Sequence, residues 1–286
     1  MDGLPSSYLE ARVVRREDIA DDLATFWIRP ERPIAFRPGQ YVTLALPGQH
    51  GRWVKRPYSL LSAPHEDEME LFLERVEGGE LTPSLFDLGA GGVVGVRGRA
   101  AGAFALDESK RHHVMAATVT GIAPFLSMLR DLRQRARTGH RFLVLYGASQ
   151  PGELGPYHDE VAALAREDGM AGVSTISRPW TAPGWTGETG RVEDVLRKHL
   201  DALDWDPRET AGYACGNPNM VQNVRGVLRR AGLAEGHLHE EAYFPDSGER
   251  APAEAPPAAP PARRQGAPAG PPGGIVLKSV PRPPGE

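Results

Sequence analysis

The tetrapeptide Arg56-Pro57-Tyr58-Ser59 places a cation and a phenol ring two positions apart inside the apolar run Val54–Ala63. Such a run reads as a strand, and alternate side chains of a strand share a face, so Arg56 and Tyr58 point the same way. A guanidinium holds phosphate through forked hydrogen bonds, and a phenol ring lies against a flat heterocycle. Pro57 offers no N–H, which suits an edge strand or a backbone approached by a ligand. Ser59 adds a small hydroxyl and a backbone N–H beside them. A ligand carrying both phosphate and a planar ring fits this group. An ordinary barrel strand with a surface arginine and a half-buried tyrosine satisfies the same four residues.

A second candidate is a helix start. Gly78-Gly79-Glu80-Leu81 leads into Thr82-Pro83-Ser84-Leu85-Phe86. Thr82 is the expected N-cap, and Pro83 suits the first helical position. Free N–H groups after glycines can take a phosphate, and a capped connecting helix without a ligand is the competing reading. The lone cysteine, Cys215, has no His or Asp near it in sequence. It is therefore expected to pack as a small group and make contacts, without covalent chemistry.

The elements that must position these residues fall into two sets. Residues 7–99 hold short strand candidates Tyr8–Arg15, Leu23–Arg29, Gln40–Leu46, Val54–Leu61, Met69–Val76 and Val93–Arg97, separated by turns such as Arg37-Pro38-Gly39. That spacing indicates a sandwich or small barrel. From about residue 105, strands and helices alternate. The strands are His113–Ala117, Phe142–Tyr146, Val173–Ser177, Gly212–Cys215 and His237–Phe244; the helices are Pro124–Arg135, Tyr157–Arg166, Val192–Leu200 and Asn219–Arg230. Asn217 caps the last helix, with Pro218 at its first position. This alternation implies a parallel sheet covered on both faces, with ligands at the carboxyl ends of its strands. Those ends are residues 118–124, 147–150, 177–180 and 216–220.

Composition narrows the function. The chain has 286 residues, 24% charged and 40% hydrophobic, with a net charge of −4. That size allows two cores, and the charge argues against nucleic acid as the main partner. No apolar run is long enough for a membrane span and no signal-peptide pattern opens the chain, so a cytoplasmic protein is the expectation. One cysteine excludes an internal disulfide and a four-thiolate iron–sulfur cluster, and no metal site is read. Residues 246–286 hold eleven of the 27 prolines, with many Ala and Gly, and read as a disordered tail whose end, Ile275-Val276-Leu277-Lys278-Ser279-Val280, is briefly apolar.

Six separated motifs carry a resemblance. They are Arg56-Pro57-Tyr58-Ser59, Gly79 with Leu81-Thr82-Pro83-Ser84, Gly102-Ala103-Phe104, Thr120-Gly121-Ile122-Ala123-Pro124-Phe125, Tyr213-Ala214-Cys215-Gly216-Asn217-Pro218 and Glu241-Ala242-Tyr243-Phe244. In that order the chain resembles the ferredoxin–NADP reductase family, in its bacterial flavoprotein branch, over roughly residues 7–245. The resemblance implies an antiparallel six-stranded Greek-key barrel that binds FAD (7–104), a parallel-sheet domain that binds NADP or NAD (105–245) and a tail (246–286).

By residue, it implies that Arg56 binds the FAD pyrophosphate, with Pro57 between it and Tyr58, and that Tyr58 stacks on the isoalloxazine. Ser59 would lie near the hydride-accepting N5. Gly79, Leu81 and Thr82 would take the other side of the pyrophosphate. Thr120 and Gly121 would approach the nicotinamide nucleotide, and Cys215 and Gly216 would lie beside the nicotinamide. Tyr243 or Phe244 would cover the other flavin face. Arg178 and Arg191, flanking a loop rich in Trp, Gly and Thr, are candidates for a 2′-phosphate or else solvated.

The chain departs from the family at Val119, where the first glycine of Gly-Thr-Gly is usual. A β-branched residue resists positive φ, so the loop is expected either to keep negative φ there or to hold the dinucleotide less closely. The activity implied is hydride exchange between NAD(P)H and FAD, with single electrons passed to a separate ferredoxin or flavodoxin. The alternatives are an oxygenase-component or free-flavin reductase, or a non-catalytic FAD relay. Glu241 is a candidate for a later proton transfer, with a plain surface carboxylate as the competing reading. An acidic carrier would need a basic docking face, for which Arg12, Arg15, Arg16, Lys110 and Arg111 are candidates.

Overall fold

The structure, a computed structural model, describes residues 3–48, 52–136 and 138–243. Phe244 and the whole of the Pro/Ala-rich tail lie outside the described residues.

Six antiparallel strands form the first sheet: β1 (Tyr8–Ala20), β2 (Leu23–Pro30), β3 (Tyr41–Pro47), β4 (Trp53–Ser59), β5 (Met69–Glu74) and β6 (Val93–Arg97). Their order is β4-β3-β6-β1-β2-β5, a Greek key in which β6 returns between the β1–β2 and β3–β4 hairpins. The edges β4 and β5 are drawn together just past Ser59, where the Leu61 N–H donates to the Glu70 carbonyl (2.9 Å). Inward-facing Ala11, Val13, Phe26, Ile28, Val42, Leu44 and Val96 fill the interior, each large aliphatic or aromatic side chain contributing about 1.5–3 kcal/mol by leaving water. Helix α1 (Thr82–Phe86) lids this core with Leu81, Leu85 and Phe86.

The second sheet is wholly parallel. It contains β7 (His112–Thr118), β8 (Arg141–Ala148), β9 (Met170–Ile176), β10 (Glu188–Thr189), β11 (Thr210–Gly216) and β12 (Leu238–Ala242), in the order β10-β9-β8-β7-β11-β12. Helices α2 (Ala123–Gln134) and α3 (Tyr157–Leu164) cover one face. Helices α4 (Val192–Leu203) and α5 (Pro218–Arg230) cover the other. Asn217 caps α5 as expected, accepting from the N–H groups of Asn219 and Met220. The two sheets share a core, since Leu23, Leu61 and Phe72 pack in the same cluster as Phe125, Leu129 and Tyr157.

The chain leaves β7 toward β8 and β9, then returns to lay β11 against the other side of β7. The carboxyl ends of β7 and β11 therefore flank the switch point of the sheet, where open α/β sheets bind their ligands.

Candidate functional site

Arg56 and Tyr58 do share a face of β4, opposite Leu44 and Val42 of β3. Those partners are fully buried, so the arginine and tyrosine continue the interior row of the sheet at its open edge. Pro57 and Lys55 face the other way and are exposed. As an edge residue, Pro57 costs the ladder no hydrogen bond. Arg56 ion-pairs with Glu80 at 3.6 Å, immediately before α1. The strand and the helix start that were singled out separately thus meet at the sheet's rim.

The helix start differs from the expectation in one respect. Leu81, not Thr82, is the cap residue, and no side chain caps the helix. The Thr82 hydroxyl accepts the N–H of Val76 (2.9 Å), and Thr82 is buried. The turn that begins at Val76 brings its N–H to the Thr82 hydroxyl. What this corner offers a phosphate is the Arg56 guanidinium together with backbone around Gly79 and Leu81.

The second cluster assembles at the switch point. Gly121 packs so tightly on the Cys215 carbonyl that an added Cβ would overlap it, and one at Gly216 (φ +125°) would overlap Thr118. The Thr118 hydroxyl also accepts the Asn217 N–H (2.9 Å). These contacts clamp the Thr118–Gly121 loop to the end of β11. Val119 sits in that clamp at φ +44°, so it does not keep the negative φ that its branching favours. Among the described residues the other non-glycine positions at positive φ, Ala136 and Asp204, end helices, where that conformation is ordinary.

Ser59, Cys215, Glu241 and Tyr243 converge although they come from three strand ends. The Tyr243 hydroxyl donates to Ser59 Oγ (2.8 Å), and Ser59 Oγ donates to Glu241 Oε1 (3.0 Å). Cys215 is fully buried, and its thiol lies within hydrogen-bonding reach of Tyr243. Glu241 is no surface carboxylate: burial raises its pKa, and only the Ser59 hydrogen bond pulls the other way. Burial, then the charge of Glu241, pushes the Cys215 thiol well up, which makes it a poor nucleophile at neutral pH. The Tyr243 phenol is raised as well, first by burial and then by Cys215 and Glu241.

Further along the same edge, Arg178 follows β9 and Arg191 follows β10, each two residues past the paired Ile176 and Thr189. Both are exposed. Between them stands Trp180, 73% exposed and the most exposed large apolar side chain among the described residues. It is an uncovered ring in the loop that the two cations flank. The sequence placed a Trp in this loop but did not single it out.

Known proteins match this architecture half by half. Residues 10–105 match the model of the oxidoreductase FAD-binding domain, and residues 115–226 that of the oxidoreductase NAD-binding domain. A ferredoxin–NADP reductase B of Sorangium cellulosum is 35% identical over 215 residues, covering 73% of this chain and 85% of that protein.

The chain belongs to the ferredoxin–NADP reductase family.

Its two-sheet fold agrees with that placement. A ferredoxin NADP+ reductase from Neisseria gonorrhoeae, solved with bound FAD and NADP, superposes with a TM-score of 0.73 at 26% identity, covering 84% of this chain and all of that one. The reductase component of a naphthalene 1,2-dioxygenase system from Pseudomonas putida is 28% identical over 245 residues, covering 84% of this chain and 70% of that protein. The chain is an FAD-dependent oxidoreductase that uses a nicotinamide nucleotide. FAD supplies the chemistry, accepting hydride and releasing electrons one at a time, while the protein orients and tunes it.

The residues present fit both ligands. Arg56 is a forked donor at an open rim with a planar ring beside it. The clamp of Gly121 and Gly216 leaves backbone bare of Cβ atoms at the switch point.

Proposed function

We propose that this reductase passes electrons from NADPH or NADH through FAD to a separate carrier protein of the ferredoxin or flavodoxin class. One observation carries the reading. Ser59, at the end of the strand that bears Arg56 and Tyr58, is hydrogen-bonded to Glu241 and Tyr243, at the end of the sheet that bears the nucleotide loop. The two cofactor sites therefore meet at one cluster of side chains. The ferredoxin–NADP reductase among its relatives supports the carrier.

In this reading Arg56 holds the FAD diphosphate together with backbone at Gly79, Leu81 and Thr82. Tyr58, backed by Pro57, lies along the flavin. Thr120 and Gly121 present N–H groups to the nucleotide, and Cys215 and Gly216 form the wall beside the nicotinamide. Arg178, Arg191 and Trp180 receive the far end of the dinucleotide. Ser59 and Glu241 hold a proton next to the reacting ring, and Tyr243 covers it. We divide the chain into an FAD half, 7–104, and a nucleotide half, 105–245, a division the family-model limits support. A buried, unpaired cysteine suits a reducing compartment, and we assign the protein to the cytoplasm.

The basic docking face needs revision. Lys110 and Arg111 precede β7, at the opposite end of the parallel sheet from Thr118 and Gly216. Seven residues of strand span about 20 Å. Arg15 pairs with Glu17 and lies over Trp27, and Arg16 pairs with Asp18 against Phe26 and Phe86.

A second reading, the reductase component of an oxygenase system, is favoured by the naphthalene dioxygenase relative and uses the same residues. The deciding experiment mixes the FAD-loaded protein with NADPH or NADH without oxygen. Loss of the flavin absorbance is expected with at least one of them. A flavin that stays oxidised with both would leave only a relay role.

A further inference from the structure

A buried polar group that takes no part in the cofactor sites joins the two sheets. Arg130, on α2, forms two hydrogen bonds with Glu160 of α3 (3.0 and 2.8 Å) and one with Glu70 of β5 (2.6 Å). Glu66 lies 3.5 Å away. The other oxygen of Glu70 accepts from the Tyr157 hydroxyl of α3 (2.8 Å), itself 2.8 Å from the Thr25 hydroxyl of β2. Glu70 is only 6% exposed. Its backbone is engaged as well: its N–H donates to Ser62 Oγ, and its carbonyl accepts from Leu61. Ser127 of α2 adds a hydrogen bond to the Ser62 carbonyl (2.7 Å).

We infer that Arg130 is a positioning residue for hydride transfer, fixing the flavin edge at Ser59 against the nucleotide loop at Gly121. The inference rests on the reductase reading above. The mechanical path is short on both sides. Ser62 lies three residues beyond Ser59, tied down by its own two hydrogen bonds. Gly121 lies just before the first residue of α2, and the helix runs unbroken from Ala123 to Arg130. Helical rise makes that a stiff rod of about 1.5 Å per residue. Of the polar links just named, those at Glu66, Glu70 and Ser62 join this helix to the segment that follows Ser59.

Burial would by itself lower the Arg130 pKa, but the hydrogen bonds and charges of Glu160 and Glu70 outweigh it and raise it. The guanidinium therefore stays charged at every working pH. Reacting atoms must approach to about 3–3.5 Å, and a displacement of about 1 Å costs on the order of 10²-fold in rate. A purely stabilising ion pair would have no such consequence.

The test uses the FAD-loaded protein carrying Arg130→Met together with Glu70→Gln, so that Glu70, the most buried of the carboxylates around Arg130, is not left charged without its partner, while Glu160 and Glu66 keep their charge at more open positions. Flavin reduction by a saturating concentration of whichever nucleotide, NADPH or NADH, bleaches the parent protein, followed in a stopped-flow instrument, should slow at least tenfold. FAD content and the reoxidation of dithionite-reduced flavin by ferricyanide should stay within twofold. Arg130→Lys should recover part of the rate. In the FAD-free chain, amide hydrogen exchange at Leu61 should quicken in the double variant. Should the double variant not fold, Ser127→Ala and Tyr157→Phe are held to the same comparison, with a threefold slowing expected. Reduction within twofold of the parent, or slowing only in step with lost FAD, overturns the inference. Failure of the parent protein itself to bleach would overturn the reductase reading on which the inference stands.

Discussion

Two residues set the sharpest tests. Arg56 is 33% exposed, and its partner Glu80 is 66% exposed. A pair that open contributes little, in general about 0–1 kcal/mol. In the proposed site a diphosphate would therefore displace Glu80 at small cost and gain charge-assisted, forked hydrogen bonds in its place. Arg56→Ala is expected to lower FAD retention through gel filtration at least tenfold with little change in melting temperature. Glu80→Gln should leave retention unchanged or improved, and equal loss in both would remove Arg56 from the site. Glu241 offers a second test. Its folded pKa lies above the unfolded value because of burial. Such a group stabilises the fold below the unfolded pKa and loses that contribution as pH rises through the folded one. Glu241→Gln should therefore melt above the parent at pH 8 and level with it at pH 4. The same variant should lose any pH step in flavin turnover that lies above the ordinary carboxylate range.

Among the elements, the strand ends of the parallel sheet carry the test of nucleotide choice. The register between β9 and β10 brings Arg178 and Arg191 onto neighbouring strand ends with Trp180 between them. A guanidinium at this edge discriminates NADPH from NADH only if it meets the 2′-phosphate. Arg178→Ala is expected to raise KM for NADPH about tenfold, the scale of one lost charge-assisted hydrogen bond, and to leave KM for NADH within twofold. Equal effects on both would mean that Arg178 does not read that phosphate. The α1 corner shows how an element overrides a residue's usual role. Thr82 has the right chemistry for a cap, yet its hydroxyl turns back to Val76 because the tight Val76–Gly79 turn leaves that donor beside it. Val119 shows the same at the nucleotide loop. Close packing at Gly121 and Gly216 holds its φ positive against its own preference.

At the scale of the molecule, histidines govern acid stability. His113 is fully buried on β7, next to His140, with its rings packed against Phe142. Burial, then the neighbouring His140, lowers its pKa to about 3. Burial also lowers His112 and His239. These groups stay neutral when folded and take protons when unfolded. The unfolded chain therefore binds more protons between about pH 6.5 and the lowered values, so stability falls as pH drops through that window. Urea unfolding should show a steep decline from pH 6.5 to 4. His113→Phe, if it folds, should flatten that decline. A decline equally steep in the variant would assign it to other groups.

Much of this protein was already written in local chemistry. Periodicity separated a strand-rich half from an alternating half, and Asn217-Pro218 marked a helix start that the structure keeps unchanged. Arg56 and Tyr58 fell on one face because a strand alternates, whatever it packs against. The meeting of Ser59 with Glu241 and Tyr243 was not legible. Those partners stand 182 and 184 positions apart in the chain, and only the docking of one sheet's edge on the other's strand ends brings them within a hydrogen bond. The bolt at Arg130 was hidden for the same reason. An arginine on a helix reads as solvated until the tertiary structure closes Glu70 and Glu160 around it. Spacing along the chain decides which way a side chain points, and packing alone decides what it finds there.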